Sequence, residues 1–192
     1  MGIRPAPSYA NIFMAKIDKL AINSGSKFGE GIHPIRAWKR FLDDIYIVWT
    51  GSVEKLHLFL EELNQIHPTI KFTISHTNPI HDTQPCNCKP SQSLAFLDTA
   101  TTIVNSKIIV DLYKKPTDRC QYLLTSSCHP PHIKDNIPFS LAYRIVRICS
   151  EEETRDKRLE ELKNMLLSRK YKNKLVDNAI QRAKAITRSK AL

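Results

Sequence analysis

Two adjacent acids, Asp43 and Asp44, lie between segments rich in β-branched and aromatic residues, at 35–41 and 45–49. Two carboxylates side by side repel one another, and keeping them together is costly unless a cation binds them. Mg²⁺ favours hard oxygen ligands and lets substrate phosphates complete its shell. On a hairpin turn, such acids serve metal ions about 4 Å apart that activate a hydroxyl and stabilise a leaving pyrophosphate. The plainer reading is that Asp-Asp satisfies the geometry of a β-turn. The pair alone leaves both readings open.

A second candidate is the basic end of the chain. Between Arg155 and Lys190 there are twelve Lys and Arg residues against four acids, which is the footprint of a surface that meets a phosphate backbone. Within it, Arg169-Lys170-Tyr171-Lys172 adds an aromatic ring able to stack on a base or sugar. Contacts of this kind position nucleic acid without reading its sequence. The competing reading is a solvated helix face. Cys86-Asn87-Cys88 with His76 and His81, and Cys128-His129 with His132, invite a zinc reading, but neither has the two-residue Cys spacing of a zinc knuckle.

The elements that must position these residues follow from apolar periodicity. Residues 8–22 place Ile12, Phe13, Ile17 and Leu20 at helical spacing after a proline turn, with Ser8 as cap. Residues 23–34, with three glycines, read as a mobile loop. The acids then sit at the bend of a hairpin whose second strand is apolar on both faces and should be buried on both sides. Ser52 opens a helix with Val53, Leu56, Leu60 and Leu63 as its stripe. A strand is expected at 70–75, a proline-rich exposed insertion at 77–93, and two strands at 94–104 and 107–113 around Asn105-Ser106.

Beyond Lys114-Lys115-Pro116 the period changes from two to about 3.6. Three helices are expected: one with Pro138 in its first turn and Leu141, Ile145 and Ile148 inward, one with Leu159, Leu162 and Leu166, and one with Val176, Ala179, Ile180 and Ala183. They make a small bundle that also fits a helix-turn-helix description. Cys149 reads as a small buried apolar residue.

Several segments together resemble the palm motifs of Penelope-like reverse transcriptases. They are Gly2-Ile3-Arg4-Pro5-Ala6-Pro7-Ser8-Tyr9-Ala10-Asn11, Arg40-Phe41-Leu42-Asp43-Asp44-Ile45-Tyr46, the run from Leu63 to Thr73, Phe96-Leu97-Asp98-Thr99, the run from Leu112 to Asp118, and Ser127-Cys128-His129-Pro130-Pro131-His132. The last helices resemble the helix-turn-helix segment of animal retroelement proteins. The resemblance implies an α+β fold: a partial polymerase palm at 1–126, with helices packed on an antiparallel sheet, followed by an all-α three-helix thumb or helix-turn-helix bundle at 127–192.

The same resemblance implies roles. Gly2, Pro7 and Asn11 would support template and nucleotide, Asp43 would be the metal ligand, and Asp44 would be its less essential catalytic neighbour. Asp98 would lie where the primer is gripped, or be an ordinary turn acid. Such a palm needs another metal-binding aspartate upstream of the glycine motif, so the expectation is an RNA-directed DNA polymerase fragment that holds Mg²⁺ weakly or not at all and is inactive alone.

The formal charge of +10 makes nucleic acid, RNA or DNA primer-template, the first partner to consider. Five cysteines without a secretory leader point to a reducing intracellular setting, nuclear or cytoplasmic, and not to secretion. No apolar run is long enough to cross a bilayer. A sheet lacking a strand would expose an edge and favour self-association. Three functions compete: a truncated polymerase fragment, a helix-turn-helix protein with the palm part as scaffold, and a fragment that completes a split polymerase in trans.

Overall fold

The computed structural model describes residues 4–29, 31–77, 93–105 and 107–192. It is an α+β structure that divides into two compact units, 1–92 and 93–192. The change to helical periodicity was expected to mark a boundary at 126/127; contacts divide the chain earlier because three strands pack with the helices that follow them. Gly2, His81, Cys86, Cys88, Ser106 and nearly all of the 77–93 insertion lie outside the described residues.

In the first unit, helix α1 (Ala6–Gly25) starts from Pro5 with Pro7 in its first turn, so Ser8 is inside the helix and does not cap it. The inward stripe is Ile17, Ala21 and Gly25, whereas Ile12, Phe13 and Leu20 of the expected stripe are exposed. The expected 23–34 loop is shorter at its start, since α1 reaches Gly25 and a 3-10 turn (Ser26–Phe28) follows. Gly25 lies close under Ile35: a Cβ there would meet the tip of the Ile35 side chain at 2.5 Å, so that side chain would have to shift to admit one.

Strands β1 (Ile35–Phe41) and β2 (Asp44–Trp49) form an antiparallel hairpin in which Phe41 pairs with Asp44. Helix α2 (Val53–Ile66) is capped by the Ser52 hydroxyl, which accepts from the Lys55 amide at 3.3 Å. Phe59, nearly fully buried, is the hub of this unit: Trp49 stacks on it at 5.4 Å, and Trp38 and Phe28 meet it edge-on. Among the described residues Ile47 and Trp49 pack one face of β2 into this core, while on the other face Tyr46 is half-buried and Val48 exposed. The expectation of burial on both faces fails because no second layer packs there among the described residues. Residues 70–76 take no regular secondary structure and pair with no strand among the described residues, so the strand expected at 70–75 does not form.

The second unit opens with a three-stranded antiparallel sheet, β3 (Leu94–Phe96), β4 (Thr99–Val104) and β5 (Lys107–Leu112), in that order. What reads as one strand over 94–104 is a hairpin bent at Leu97-Asp98. Helix α3 (Pro131–Ile148) begins two turns earlier than expected, at Pro131, and carries Pro138 inside it, buried. Helices α4 (Glu152–Ser168), α5 (Asn173–Lys184) and the short α6 (Arg188–Ala191) complete the bundle. Its core joins Ala142, Ile145, Val146, Leu159, Leu162, Leu166, Val176, Ile180 and Ala183 with Leu112 of β5. The Ser150 amide donates to the Val110 carbonyl at 2.9 Å, and the Val110 amide to the Ser150 hydroxyl at 3.0 Å, which fastens the α3–α4 link to β5.

Candidate nucleic-acid interface

The four-residue link between α4 and α5 is built by a helix-stop motif. The Lys170 amide donates to the Leu167 carbonyl at 3.0 Å, and the Tyr171 amide to the Leu166 carbonyl at 3.2 Å. This is the paired bonding of a left-handed helix cap, and Lys170 takes the left-handed position with φ of 68°. Glycine is the usual occupant there because a side chain costs free energy in that conformation. The motif turns Tyr171 into the helical core, where it is only 4% exposed. Burial pushes its phenol up from the ordinary value, with the charge of Asp135 acting in the same direction. The expected stacking role of Tyr171 is thus corrected: its ring belongs to the core.

The cations around that ring face outward. Arg169 is half-buried, Lys170, Lys172 and Lys174 are exposed, and none of their side chains makes a hydrogen bond or ion pair among the described residues. Most of the neighbouring bases are committed inside the fold. Lys163 binds Asp177 at 2.8 Å, Lys184 binds Asp156 at 3.0 Å, and Arg155 binds Glu152 at 3.1 Å. Arg182 lies 4.5 Å over the Phe139 ring. Arg158 holds Asp111 through Nη2 at 2.6 Å and Nε at 3.0 Å, and reaches Glu161 at 3.0 Å. Of the twelve basic residues counted in the sequence, five thus brace the fold and four form a cluster at 169–174 that is unpaired among the described residues.

Thr125 docks the segment before α3 onto this link, its amide donating to the Arg169 carbonyl and its hydroxyl to the Lys170 carbonyl. Lys134 in turn donates to the carbonyls of Thr125 and Ser127. The link is fixed from both sides.

Sequence reasoning missed a stripe on α5. Lys174, Asn178 and Gln181 recur at helical spacing opposite Val176 and Ile180 and are exposed. Asn178 and Gln181 make no side-chain hydrogen bond among the described residues, so their amide donors and acceptors are open. The signal was present as polar residues complementary to the Val176, Ala179, Ile180 and Ala183 stripe.

The other expected site residues lie in the first unit. Asp43 is the second residue of a two-residue turn and exposed; Asp44, also exposed, is the first residue of β2. Leu42 has φ of 53° while Asp43 does not enter the left-handed region, as in a II′-type hairpin turn. Arg40 links this turn to α1: its Nη1 donates to the Leu42 carbonyl at 3.0 Å and to Asn11 Oδ1 at 2.9 Å, and its Nε to Asp18 at 2.9 Å. Asn11 and the Asp43 turn are thus brought together, whereas Pro7 is exposed in the first helical turn. Among the described residues no three His, Cys, Asp or Glu side chains converge. Two exposed acids on consecutive residues supply only part of the oxygen shell that Mg²⁺ needs.

The Phe-Leu-Asp turn recurs. Leu97 also has φ of 53°, and Asp98 pairs with Arg144 at 2.8 Å, the place of a turn acid that ties its hairpin to α3.

The sequence pattern of the animal helix-turn-helix domain matches residues 121–181, which takes in the docked Thr125 segment, α3, α4 and most of α5. No curated protein matches the chain, and no solved structure matches it. No helix among the described residues is long and apolar enough to cross a membrane.

Proposed function

We propose that this chain binds nucleic acid through its helical domain, residues 127–192, with residues 1–126 serving as scaffold. The observation that carries this reading is the cluster of Arg169, Lys170 and Lys172 on the α4–α5 link with Lys174 in the first turn of α5, inside a region that matches a helix-turn-helix pattern. Four cations on the link and the first turn of α5, with Asp177 already paired to Lys163, attract phosphate by charge and contact it without reading sequence. Lys170 occupies its strained position although glycine would be more stable there, which is a reason to look for a role of its charge. The test is binding of the full chain to a labelled 20-base-pair duplex by fluorescence anisotropy. The K170Q/K172Q/K174Q variant should bind at least tenfold more weakly at 100 mM salt with an unchanged melting temperature; equal affinity would refute the proposal.

A second reading rests on Arg40, which joins Asn11 to the Asp43 turn. In it, the chain is a fragment of a Penelope-like retroelement reverse transcriptase, an RNA-directed DNA polymerase, with Asp43 as a weak Mg²⁺ ligand and Asp44 beside it. The outer edges of β1 and β2, unpaired among the described residues, would then favour self-association. This reading predicts salt-sensitive primer-template binding that Mg²⁺ barely changes and in which residues 1–126 share. Equal binding by residues 127–192 alone would count against it and favour the helical-domain reading.

A further inference from the structure

Past the C-terminal end of α5, away from the 169–174 cluster, α3 and α6 carry a second group of cations, part of it beyond the matched 121–181 segment. After α5 the chain turns through residues 185–187 into α6, whose Ala191 is buried and whose Ala191 carbonyl accepts from the Tyr143 hydroxyl at 3.3 Å. Arg188 Nε donates to the Arg147 carbonyl at 3.2 Å. These bonds hold α6 on the C-terminal half of α3 and gather Arg147, Arg188 and Lys190 at one corner. Arg147 and Lys190 are exposed and their side chains have no partner among the described residues, and Arg188 keeps both terminal nitrogens for other acceptors. There is no Asp or Glu anywhere in residues 178–192, so no side chain within that stretch neutralises the corner.

We infer that Arg147, Arg188 and Lys190 form a second phosphate-contact site, and that the helical unit grips a duplex by both backbones with α5 between them. The inference rests on the nucleic-acid reading above. Helix α5 has twelve residues, about 18 Å at 1.5 Å per residue, and a B-form major groove is about 12 Å wide. Cations at the two ends of such a helix reach the phosphates on either side of the groove. Between them stand Asn178 and Gln181, whose free amides have the donor and acceptor pair that matches adenine. A single strand offers one backbone and favours exposed aromatic platforms; with Tyr171 in the core, the basic link has none.

The test is the salt dependence of full-chain binding to a duplex and to a single strand of the same sequence. Each phosphate contact on a duplex contributes about 0.9 to the slope of log Kobs against log salt. R147Q/K190Q leaves the Arg188 bond in place, and it should lower the slope by about 1.8 on duplex. That makes the loss of affinity between 50 and 200 mM salt roughly twelvefold smaller. The single-strand slope should change by less than half as much. If R147Q/K190Q leaves the duplex slope unchanged while K170Q/K172Q/K174Q lowers it, the second site is refuted and the first stands. If the strand and duplex slopes fall equally, the groove-spanning grip is refuted. If neither variant changes the slope, both proposals fall.

Discussion

The amide of Tyr171 donates to the carbonyl of Leu166 at 3.2 Å, and that bond carries the chain out of α4 with the Tyr171 ring in the same buried core as Leu166. One local motif thus separates a basic tetrapeptide into an inward aromatic and outward cations.

Tyr171→Ala should cost about 3 to 4 kcal/mol of stability, the range for deleting a buried aromatic side chain. Tyr171→Phe should be neutral or raise stability by up to about 1 kcal/mol, because the buried hydroxyl has no hydrogen-bond partner among the described residues. Urea unfolding followed by circular dichroism checks both. A loss above about 2 kcal/mol for Tyr171→Phe would mean that the hydroxyl is bonded.

Lys170→Gly should raise stability by about 1 kcal/mol through relief of the left-handed backbone at φ of 68°. The same variant should weaken nucleic-acid binding by removing a charge. Thermal melting and anisotropy on one preparation separate the two effects; a fall in both stability and affinity would count against the assignment of Lys170 as a functional cation.

Acid should loosen the second unit through Asp111. Burial pushes this carboxyl up, but the Arg158 hydrogen bonds, the Leu112 amide and the Arg158 charge outweigh it and hold the group below its ordinary value of 3.8. A carboxyl with its folded value below its unfolded one contributes stability that is complete above the unfolded value. The contribution disappears as pH falls from about 3.8 through the lower folded value. D111N should therefore destabilise at pH 7 and flatten the decline in melting temperature between pH 5 and pH 3 relative to the parent chain. An equally steep decline in D111N would assign the acid sensitivity elsewhere.

Thiol reactivity should divide by environment. Cys149 is 2% exposed, and its thiol, pushed up to about 11 chiefly by burial, is protonated at pH 8. Cys128 is exposed. Alkylation at pH 8 followed by peptide mass mapping should label Cys128 within minutes and Cys149 only after denaturation. Early labelling of Cys149 would show that the β5, α3 and α4 contact opens readily.

Much of the second unit was legible because its helices carry one-sided stripes. Leu159, Leu162 and Leu166, and Val176, Ala179, Ile180 and Ala183, are all buried as their spacing predicts. Cys149 is likewise inward. The start of α3 was not legible, since Pro138 marks a favourable first-turn residue and an interior proline equally well until packing decides. In α1, Ile12 and Phe13 obey helical spacing but lie outside the face that Ile17 and Ala21 turn inward. The apolar run of β2 suggested two covered faces, and apolar residues alone do not report whether a second layer exists. At the candidate site, the basic cluster was visible as composition. Which cations are free depends on partners distant in sequence, as with Lys163 and Asp177 or Arg158 and Asp111.

The most direct test of nucleic-acid binding by the helical unit is the slope of log Kobs against log salt for the unmodified full chain on duplex. Four contacts at 169–174 alone set a slope of about −3.6, and the second cluster steepens it toward about −6. A slope between these values supports the account. A slope near zero, or no measurable binding at 50 mM salt, would contradict it.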